Sequence, residues 1–136
     1  MIVLDSSFVI ALLTPDRRQS FVVRTLQASG DAYHAPALLL FEVVHVLSRK
    51  RRNGDLSLAE QDRAFDALTE QAINFDPAPD TARLARIAGL ADAERLSGYE
   101  ASYLELAIRL GAQLATLDAD LAEAGRHCGV VVHHTP

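Results

Sequence analysis

Two short apolar runs that each end at an aspartate constrain the fold of this chain more than any other feature. Ile2–Leu4 is wholly apolar and stops at Asp5, and residues 114–117 are mostly apolar and stop at Asp118. Runs of this length are too short for helices and are typical of strands that a parallel sheet buries on both faces. Longer stretches with helical periodicity separate them, which predicts an α/β chain of βαβ units around a short parallel sheet.

Turn residues and caps divide the rest of the chain into further elements. Helices are predicted from 6 to the break at 14, over 17–28, 37–52 and 57–71, from 80 to the break at 97, and over 99–110 and 119–124. Further strands are predicted over 32–34, 73–75 and 130–132. In such sheets a functional site lies beyond the carboxyl ends of the strands, which is where Asp5 and Asp118 stand.

The composition suits a chain that folds as one domain, which we place at residues 1–136. Asp and Glu number 18 against 13 Lys and Arg, so bulk positive charge cannot be the basis of nucleic-acid binding. An acidic site that holds cations is still compatible with a polyanionic substrate, because bound metal reverses the local field.

Cys128 is the only cysteine, which excludes an internal disulfide and a cysteine-based zinc site. A reducing, cytoplasmic location is therefore expected. The longest apolar run, residues 8–13, is far too short to cross a membrane, and no membrane partner is expected.

Glu42 is the most informative acidic residue. Within residues 37–47 only Glu42 and His45 are polar, so this helix is expected to be buried on nearly all sides. A lone buried carboxylate is costly unless it is paired or binds a metal ion. The alternative to a metal ligand is a structural pair with an arginine or with His45.

The other acidic residues are informative only as a set. Asp5 and Asp118 each have the alternative role of a helix cap or turn residue. Glu100, in the first turn of the helix 99–110, is also explained by a favourable charge at a helix N-terminus. Asp120 is either a further ligand or a first-turn acid. Several carboxylates together are what Mg²⁺ or Mn²⁺ requires, and two such ions can assist hydrolysis of a phosphodiester.

Four segments in order match a known family. They are the opening Ile-Val-Leu-Asp-Ser-Ser-Phe-Val with Asp5 and Ser7, the helix around Phe41-Glu42-Val43, the stretch from Leu96 to Ala107 with Glu100, and the stretch from Leu114 to Leu121 with Thr116 and Asp118. The chain thereby resembles the PIN-domain ribonucleases, most closely the VapC-like toxins of prokaryotic toxin–antitoxin pairs. It departs from them at Glu100, where the family usually has aspartate.

The resemblance implies a three-layer α/β fold, with a short parallel sheet wrapped by helices, and metal-dependent hydrolysis of RNA. It implies that Asp5, Glu42, Glu100 and Asp118 are catalytic and, with Asp120, hold Mg²⁺ or Mn²⁺. It also implies a homodimer that a small antitoxin protein blocks.

Two other functions compete with the ribonuclease. One is a catalytically weakened binding module of the same fold that acts through a partner protein. The other is a receiver-like phosphoryl-transfer domain, which is disfavoured because the only lysine, Lys50, lies in a helix tail.

The predicted first two helices carry four large apolar side chains. They are Phe8, Leu12, Phe21 and Val22. We expect them to line a groove for an amphipathic antitoxin helix. The alternative is that all four belong to the core.

Overall fold

The computed structural model describes residues 1–30 and 32–136, in which helices and strands alternate. The strands are β1 (Ile2–Leu4), β2 (Tyr33–Pro36), β3 (Asn74–Asp76), β4 (Gln113–Ala115) and β5 (Val132–His133). The helices are α1 (Ser6–Leu13), α2 (Gln19–Ser29), α3 (Leu38–Arg52), α4 (Leu58–Glu70), α5 (Thr81–Glu94), α6 (Gly98–Leu110) and α7 (Ala119–His127). The element order matches the prediction, with boundaries displaced by a few residues.

The five strands form one parallel sheet in the order β3-β2-β1-β4-β5. Strand β1 is central, with Ile2 opposite Tyr33 on one side and Leu4 opposite Ala115 on the other. Because β1 and β4 are neighbours and run in the same direction, their carboxyl ends meet at one edge of the sheet. The fold therefore confirms the predicted α/β class, and it brings the loops that carry Asp5 and Asp118 side by side.

The core forms where the central strands meet helix α6. Strand β1 is completely buried, as are Leu114 and Ala115 of β4. Helix α6 contacts β1, β2 and β4, and its residues 103–107 are all buried. The only charged residue among these five, Glu105, is paired with Arg109, whose Nε lies 2.9 Å from the Glu105 carboxylate. The burial of residues 103–107 holds α6 against the sheet next to the ends of β1 and β4.

Two boundary differences affect the site. Strand β4 ends at Ala115 rather than at residue 117, so Thr116 and Leu117 lie in the loop that leads to α7. Helix α7 continues to His127, beyond the predicted end at residue 124. The prediction extended β4 because alternating apolar residues do not show where strand pairing stops.

The prediction that α3 is buried on nearly all sides is wrong. Leu39, Val43 and Leu47 form a buried stripe, whereas Phe41 is 74% exposed and Val44 is 47% exposed. Helix α3 packs on α1, α4 and β2 with one face only. An apolar sequence does not show which of its faces meets a neighbour, and here the other face is left open.

The groove predicted on the first two helices is also contradicted. Phe8 and Val22 are fully buried, and Leu12 and Phe21 pack against the same core. The rings of Phe8 and Phe21 meet edge to face at 6.3 Å. Phe8 and Val22 are therefore not available to bind a peptide, and Leu12 and Phe21 are only partly exposed, so the four side chains do not form the predicted groove. In the described residues, none of the helices is long and apolar enough to span a membrane.

Candidate active site

The Asp5 carboxylate is the centre of a hydrogen-bond network at the carboxyl edge of the sheet. Asp5 follows β1 directly and caps α1, with its Oδ2 accepting from the Ser7 backbone N–H at 3.3 Å. The same oxygen accepts from the hydroxyls of Ser7, at 2.5 Å, and Thr116, at 2.8 Å. Asp5 is 5% exposed, so these bonds replace the water that a surface carboxylate would have.

The surroundings of Asp5 oppose its negative charge. The pKa of Asp5 is raised to about 6, chiefly by burial and also by the nearby charge of Glu42, against the lowering effect of the hydrogen bonds from Ser7 and Thr116. A carboxylate in this state is stabilised by any positive charge that reaches it.

Glu42 is held by two hydroxyl groups. Tyr103 Oη donates to Glu42 Oε1 at 2.6 Å, and Ser6 Oγ donates to Oε2 at 3.1 Å. Neither the arginine nor the His45 that we considered as a structural partner is bonded to it. Within residues 1–30 and 32–136, no ion pair involves Glu42. Its hydrogen bonds orient the carboxylate without neutralising it.

Tyr103 was not identified from the sequence. It lies on α6, is 1% exposed, and extends from the helix towards Glu42 on α3. Burial, with the charge of Asp5 as the next cause, raises the pKa of Tyr103 well above its usual range, so the phenol stays protonated and donates. The available signal was a tyrosine at helical spacing with the apolar residues Leu106, Ala107 and Leu110, since a buried hydroxyl requires a hydrogen-bond partner.

Asp118 joins the network through the loop after β4. Its backbone N–H donates to Thr116 Oγ at 3.0 Å, and the Leu117 N–H donates to Ser7 Oγ at 2.9 Å. The Asp118 carboxylate caps α7 by accepting from the Leu121 N–H at 2.8 Å. The cap that we considered as an alternative role is therefore present, but it occupies only one of the two carboxylate oxygens.

Glu100 and Asp120 stand apart from this network. The Glu100 carboxylate accepts from the Ser97 N–H at 2.9 Å, and Ser97 Oγ accepts from the Glu100 N–H, which forms a capping box at the start of α6. Asp120 is exposed and faces a cleft that Glu123 and His127 also line. The hydrogen bonds of the described residues join neither acid to Asp5 or Glu42.

The donor chemistry at this edge suits a divalent cation. Asp5 and Glu42 offer carboxylate oxygens with uncompensated charge, which is what Mg²⁺ and Mn²⁺ bind. In the described part of the chain, however, no three Asp, Glu, His or Cys side chains are close enough together to form a ready ligand group. Asp5 and Glu42 fit such an ion chemically, and a third carboxylate ligand would require another side chain to move towards them.

A parallel α/β sheet with carboxylates beyond two adjacent strands defines an acidic site of the kind found in metal-assisted hydrolases. The family model for the PIN domain matches residues 2–127 of the chain. The chain therefore belongs to the PIN-domain family.

Individual proteins agree with this assignment. The chain is 30% identical over 126 residues to "Ribonuclease VapC3" of Pyrobaculum aerophilum, which covers 90% of this chain and 92% of the relative. The solved structure of the VapC20 toxin of Mycobacterium tuberculosis, described as cleaving the sarcin-ricin loop, covers 92% of this chain and 95% of its own, at 19% identity and a TM-score of 0.71. VapBC2 of Rickettsia felis, solved with a DNA fragment from its promoter, covers 100% of both chains at 15% identity and a TM-score of 0.68. The predicted family is thereby confirmed.

The raised pKa of Asp5 predicts how the stability of the metal-free protein depends on pH. The folded state holds its proton up to about pH 6, whereas the unfolded chain releases it near 3.8. Between these values the folded state binds more protons, so the free energy of unfolding contributed by Asp5 falls as the pH rises, by roughly 3 kcal/mol in total. Chemical denaturation in EDTA at pH values from 4 to 7 measures this.

The matched control is Asp5→Asn, which removes the titrating group and keeps a polar side chain. The wild type is expected to lose stability relative to this variant as the pH rises through the window. A constant difference between the two proteins from pH 4 to pH 7 would contradict the assigned environment of Asp5.

Proposed function

We propose that this chain is an endoribonuclease that hydrolyses RNA phosphodiester bonds with the help of Mg²⁺ or Mn²⁺, and that it is the toxin of a toxin–antitoxin pair. The observation that carries the proposal is a pair of carboxylates at the carboxyl edge of the sheet, the buried Asp5 and the half-buried Glu42, which no ion pair of the described residues neutralises. Membership of the PIN family and the likeness to ribonuclease VapC3 and to a toxin that cleaves RNA support it.

The proposed ligands of the cation are Asp5, Glu42 and Asp118, with Glu100 and Asp120 as further candidates. When bound, such an ion activates water for attack on phosphorus and neutralises charge on the phosphate. The protein's own contribution is to orient the carboxylates through hydrogen bonds and to hold them close to the substrate. A polyanionic RNA also gains from the ion, because without it the site repels phosphate.

Ser7 and Thr116 have the role of orienting Asp5. Their hydroxyls hold one Asp5 oxygen at 2.5 and 2.8 Å, and each also accepts a backbone N–H from the loop after β4. The two adjacent strand ends are thereby joined through side chains as well as through the sheet. A carboxylate fixed in this way loses little entropy when it binds a cation or positions a water molecule.

The cell compartment and the domain organisation are also proposals. We assign the whole of residues 1–136 to one PIN-like domain in the cytoplasm. The single core cluster of the described residues includes residues of β1, of β4 and of all seven helices, which supports the assignment to one domain. The lone Cys128, with no possible internal disulfide, supports the assignment to the cytoplasm.

A catalytically weakened binding module is the second candidate function. It is favoured by Glu100, whose carboxylate is occupied in a capping box, and by the lack of a ready ligand group in the described residues. Such a module would keep the fold and a partner surface and would not cleave RNA.

Two partners are part of the proposal. The open face of α3, with Leu40, Phe41 and Val44, is apolar enough to be covered by a second copy of the chain.

A small antitoxin is the second partner, supported by the likeness to a VapBC2 structure. Co-expression with the product of the adjacent reading frame tests this partner, and failure to co-purify would remove the toxin role while leaving the nuclease role.

Cleavage of RNA by the purified protein tests the proposed function directly. In Mg²⁺ or Mn²⁺ the wild type is expected to cut members of a panel of transfer and structured RNAs, and EDTA is expected to stop it. Asp5→Asn should lose on the order of a hundredfold or more in rate, because it removes a charged ligand at the centre of the network.

The control is Asp66→Asn, which makes the same chemical change on the exposed face of α4. It should cut RNA like the wild type. If the wild type cuts nothing on the panel but is stabilised by Mn²⁺ in thermal melts, the binding module is the better description.

Glu100→Gln separates a ligand from a helix cap. Glutamine can keep the capping box, because its side-chain oxygen still accepts from the Ser97 N–H, but it loses the charge that a cation needs. We expect this variant to lose cleavage about as fully as Asp5→Asn, and Glu100→Asp to retain part of it. The measurement is the initial rate of RNA cleavage at saturating Mn²⁺.

The second capping box of the chain supplies the control. Ser57 and Glu60 make the same pair of bonds at the start of α4, at 3.0 and 3.1 Å. Glu60→Gln should therefore leave the cleavage rate unchanged. Wild-type rates for Glu100→Gln would assign Glu100 to helix capping alone and leave Asp5, Glu42 and Asp118 as the site residues, with Asp120 as the further candidate.

Phe41→Ser tests the homodimer. Phe41 is the most exposed large apolar side chain of the open α3 face, at 74%. Its loss should shift the chain from dimer to monomer in sedimentation experiments at micromolar concentrations, because a central aromatic contributes strongly to an apolar interface. Leu58→Ser, which removes a side chain 57% exposed on α4, should leave the dimer intact. A wild type that sediments as a monomer would contradict the proposal.

A further inference from the structure

The hydrogen bonds that reach Glu42 come from two different elements. Ser6 belongs to the first turn of α1, directly after Asp5, and Tyr103 belongs to α6. Ser6 Oγ donates to Glu42 Oε2 at 3.1 Å, and Tyr103 Oη donates to Oε1 at 2.6 Å. We call these two hydroxyls the hydroxyl clamp. Each oxygen of Glu42 is thus held from one side by one donor.

The geometry of the hydroxyl clamp leaves room for a ligand. A carboxylate can accept about four hydrogen bonds, and the clamp supplies two. The remaining lone pairs are free to bind a cation or a water molecule. The clamp donors are neutral, so they fix the direction of the carboxylate without reducing the charge that attracts a cation.

Burial makes Tyr103 the more rigid of the two donors in the hydroxyl clamp. Tyr103 is 1% exposed, so water cannot replace Glu42 as the partner of its hydroxyl. The ring is held in the core between α6 and the sheet, and it cannot follow Glu42 if that side chain moves. Glu42 itself lies on α3, which has an open face and packs on its neighbours with one side only. A rigid donor therefore holds a ligand that extends from a less enclosed helix.

We propose that Tyr103, with Ser6, is a positioning residue that holds the Glu42 carboxylate in the direction needed to bind the divalent cation. This inference rests on the proposed function, since it assigns a role to a residue next to the same site. Tyr103 does not touch the substrate in this account, and it acts only through Glu42. Groups that orient metal ligands in this way commonly change metal affinity on the order of 10- to 100-fold when they are removed.

Tyr103→Phe tests the proposal, because it removes the hydroxyl and keeps the ring in the core. Titration of the protein with Mn²⁺, followed by the electron paramagnetic resonance signal of the free ion, should show affinity lower by about 10-fold or more. Ser6→Ala should weaken it in the same direction, and the double variant should weaken it most.

The matched control is Tyr33→Phe. Tyr33 Oη donates to the Leu26 carbonyl at 3.2 Å, and Tyr33 begins β2, at the amino edge of the sheet opposite the acids. This variant also loses one phenolic hydrogen bond, so it measures the general effect on stability. Its Mn²⁺ affinity should equal that of the wild type. Equal losses of affinity in the two phenylalanine variants would overturn the proposal, because they would report a general loss of structure.

A second comparison asks whether Tyr103 acts through Glu42. In a Glu42→Gln background, Tyr103→Phe should cause no further loss of Mn²⁺ affinity, because the ligand that it positions no longer carries charge. If Tyr103→Phe lowered the Mn²⁺ affinity in this background as much as in the wild type, Tyr103 would act through a group other than Glu42. That result would overturn the proposal.

Crystal structures of the metal-free proteins separate this inference from the proposed function. In Tyr103→Phe the Glu42 carboxylate should leave its wild-type position, and in Tyr33→Phe it should stay. An unmoved carboxylate in Tyr103→Phe overturns the positioning role, whether or not the wild type cleaves RNA. A displaced carboxylate in a protein whose wild type cleaves no RNA supports the positioning role and overturns the nuclease.

Discussion

Parallel pairing of β1 with β4 is the constraint on which the site depends. Leu4 lies opposite Ala115, and the Asp5 N–H donates to the Ala115 carbonyl at 2.9 Å, so the pairing continues one residue past the end of β1. After each of these two strands the chain leaves the sheet at the same edge and starts a helix. Asp5 caps the helix after β1, and Asp118 caps the helix after β4. The carboxylates of Asp5 and Asp118 are thereby placed in neighbouring loops by backbone geometry alone.

The cost of this arrangement is electrostatic, and it is the basis of the site's chemistry. A carboxylate that is 5% exposed beside another carboxylate is less stable charged than in water, which is why burial raises the pKa of Asp5. Hydrogen-bond donors partly offset this cost. Ser7 and Thr116 donate to Asp5, and the two residues of the hydroxyl clamp donate to Glu42. Such donors satisfy lone pairs but leave the charges unbalanced, and this imbalance favours a cation.

Features that depend on residues close together in the sequence could be predicted, whereas contacts between residues far apart in the sequence could not. The strand and helix order, the parallel sheet and the positions of Asp5 and Asp118 follow from local patterns and from the rule for strand ends. The exposure of Phe41 and the burial of Val22 could not be predicted, because a run of apolar residues does not say which elements will pack against it. The partner of Glu42 was also missed, since Tyr103 is 61 residues away in the chain and only the fold brings the two side chains together.

Glu100 satisfies a local rule at the position where the chain departs from the family pattern. The local rule is the capping box with Ser97, which needs glutamate or glutamine rather than aspartate at this position. The longer side chain therefore has a structural reason that does not involve the site. Glu100 precedes Tyr103 by one turn of α6, so the two side chains project from the same side of the helix that faces the hydroxyl clamp. A rotation of the Glu100 side chain away from Ser97 would break one hydrogen bond of the cap and free the carboxylate to bind a cation on this side of α6. The capping bond is exposed to solvent, where a net hydrogen bond is worth about 1 kcal/mol, whereas a cation shared by several carboxylates offers more. The cap is thus compatible with a ligand that joins the site only when the cation binds.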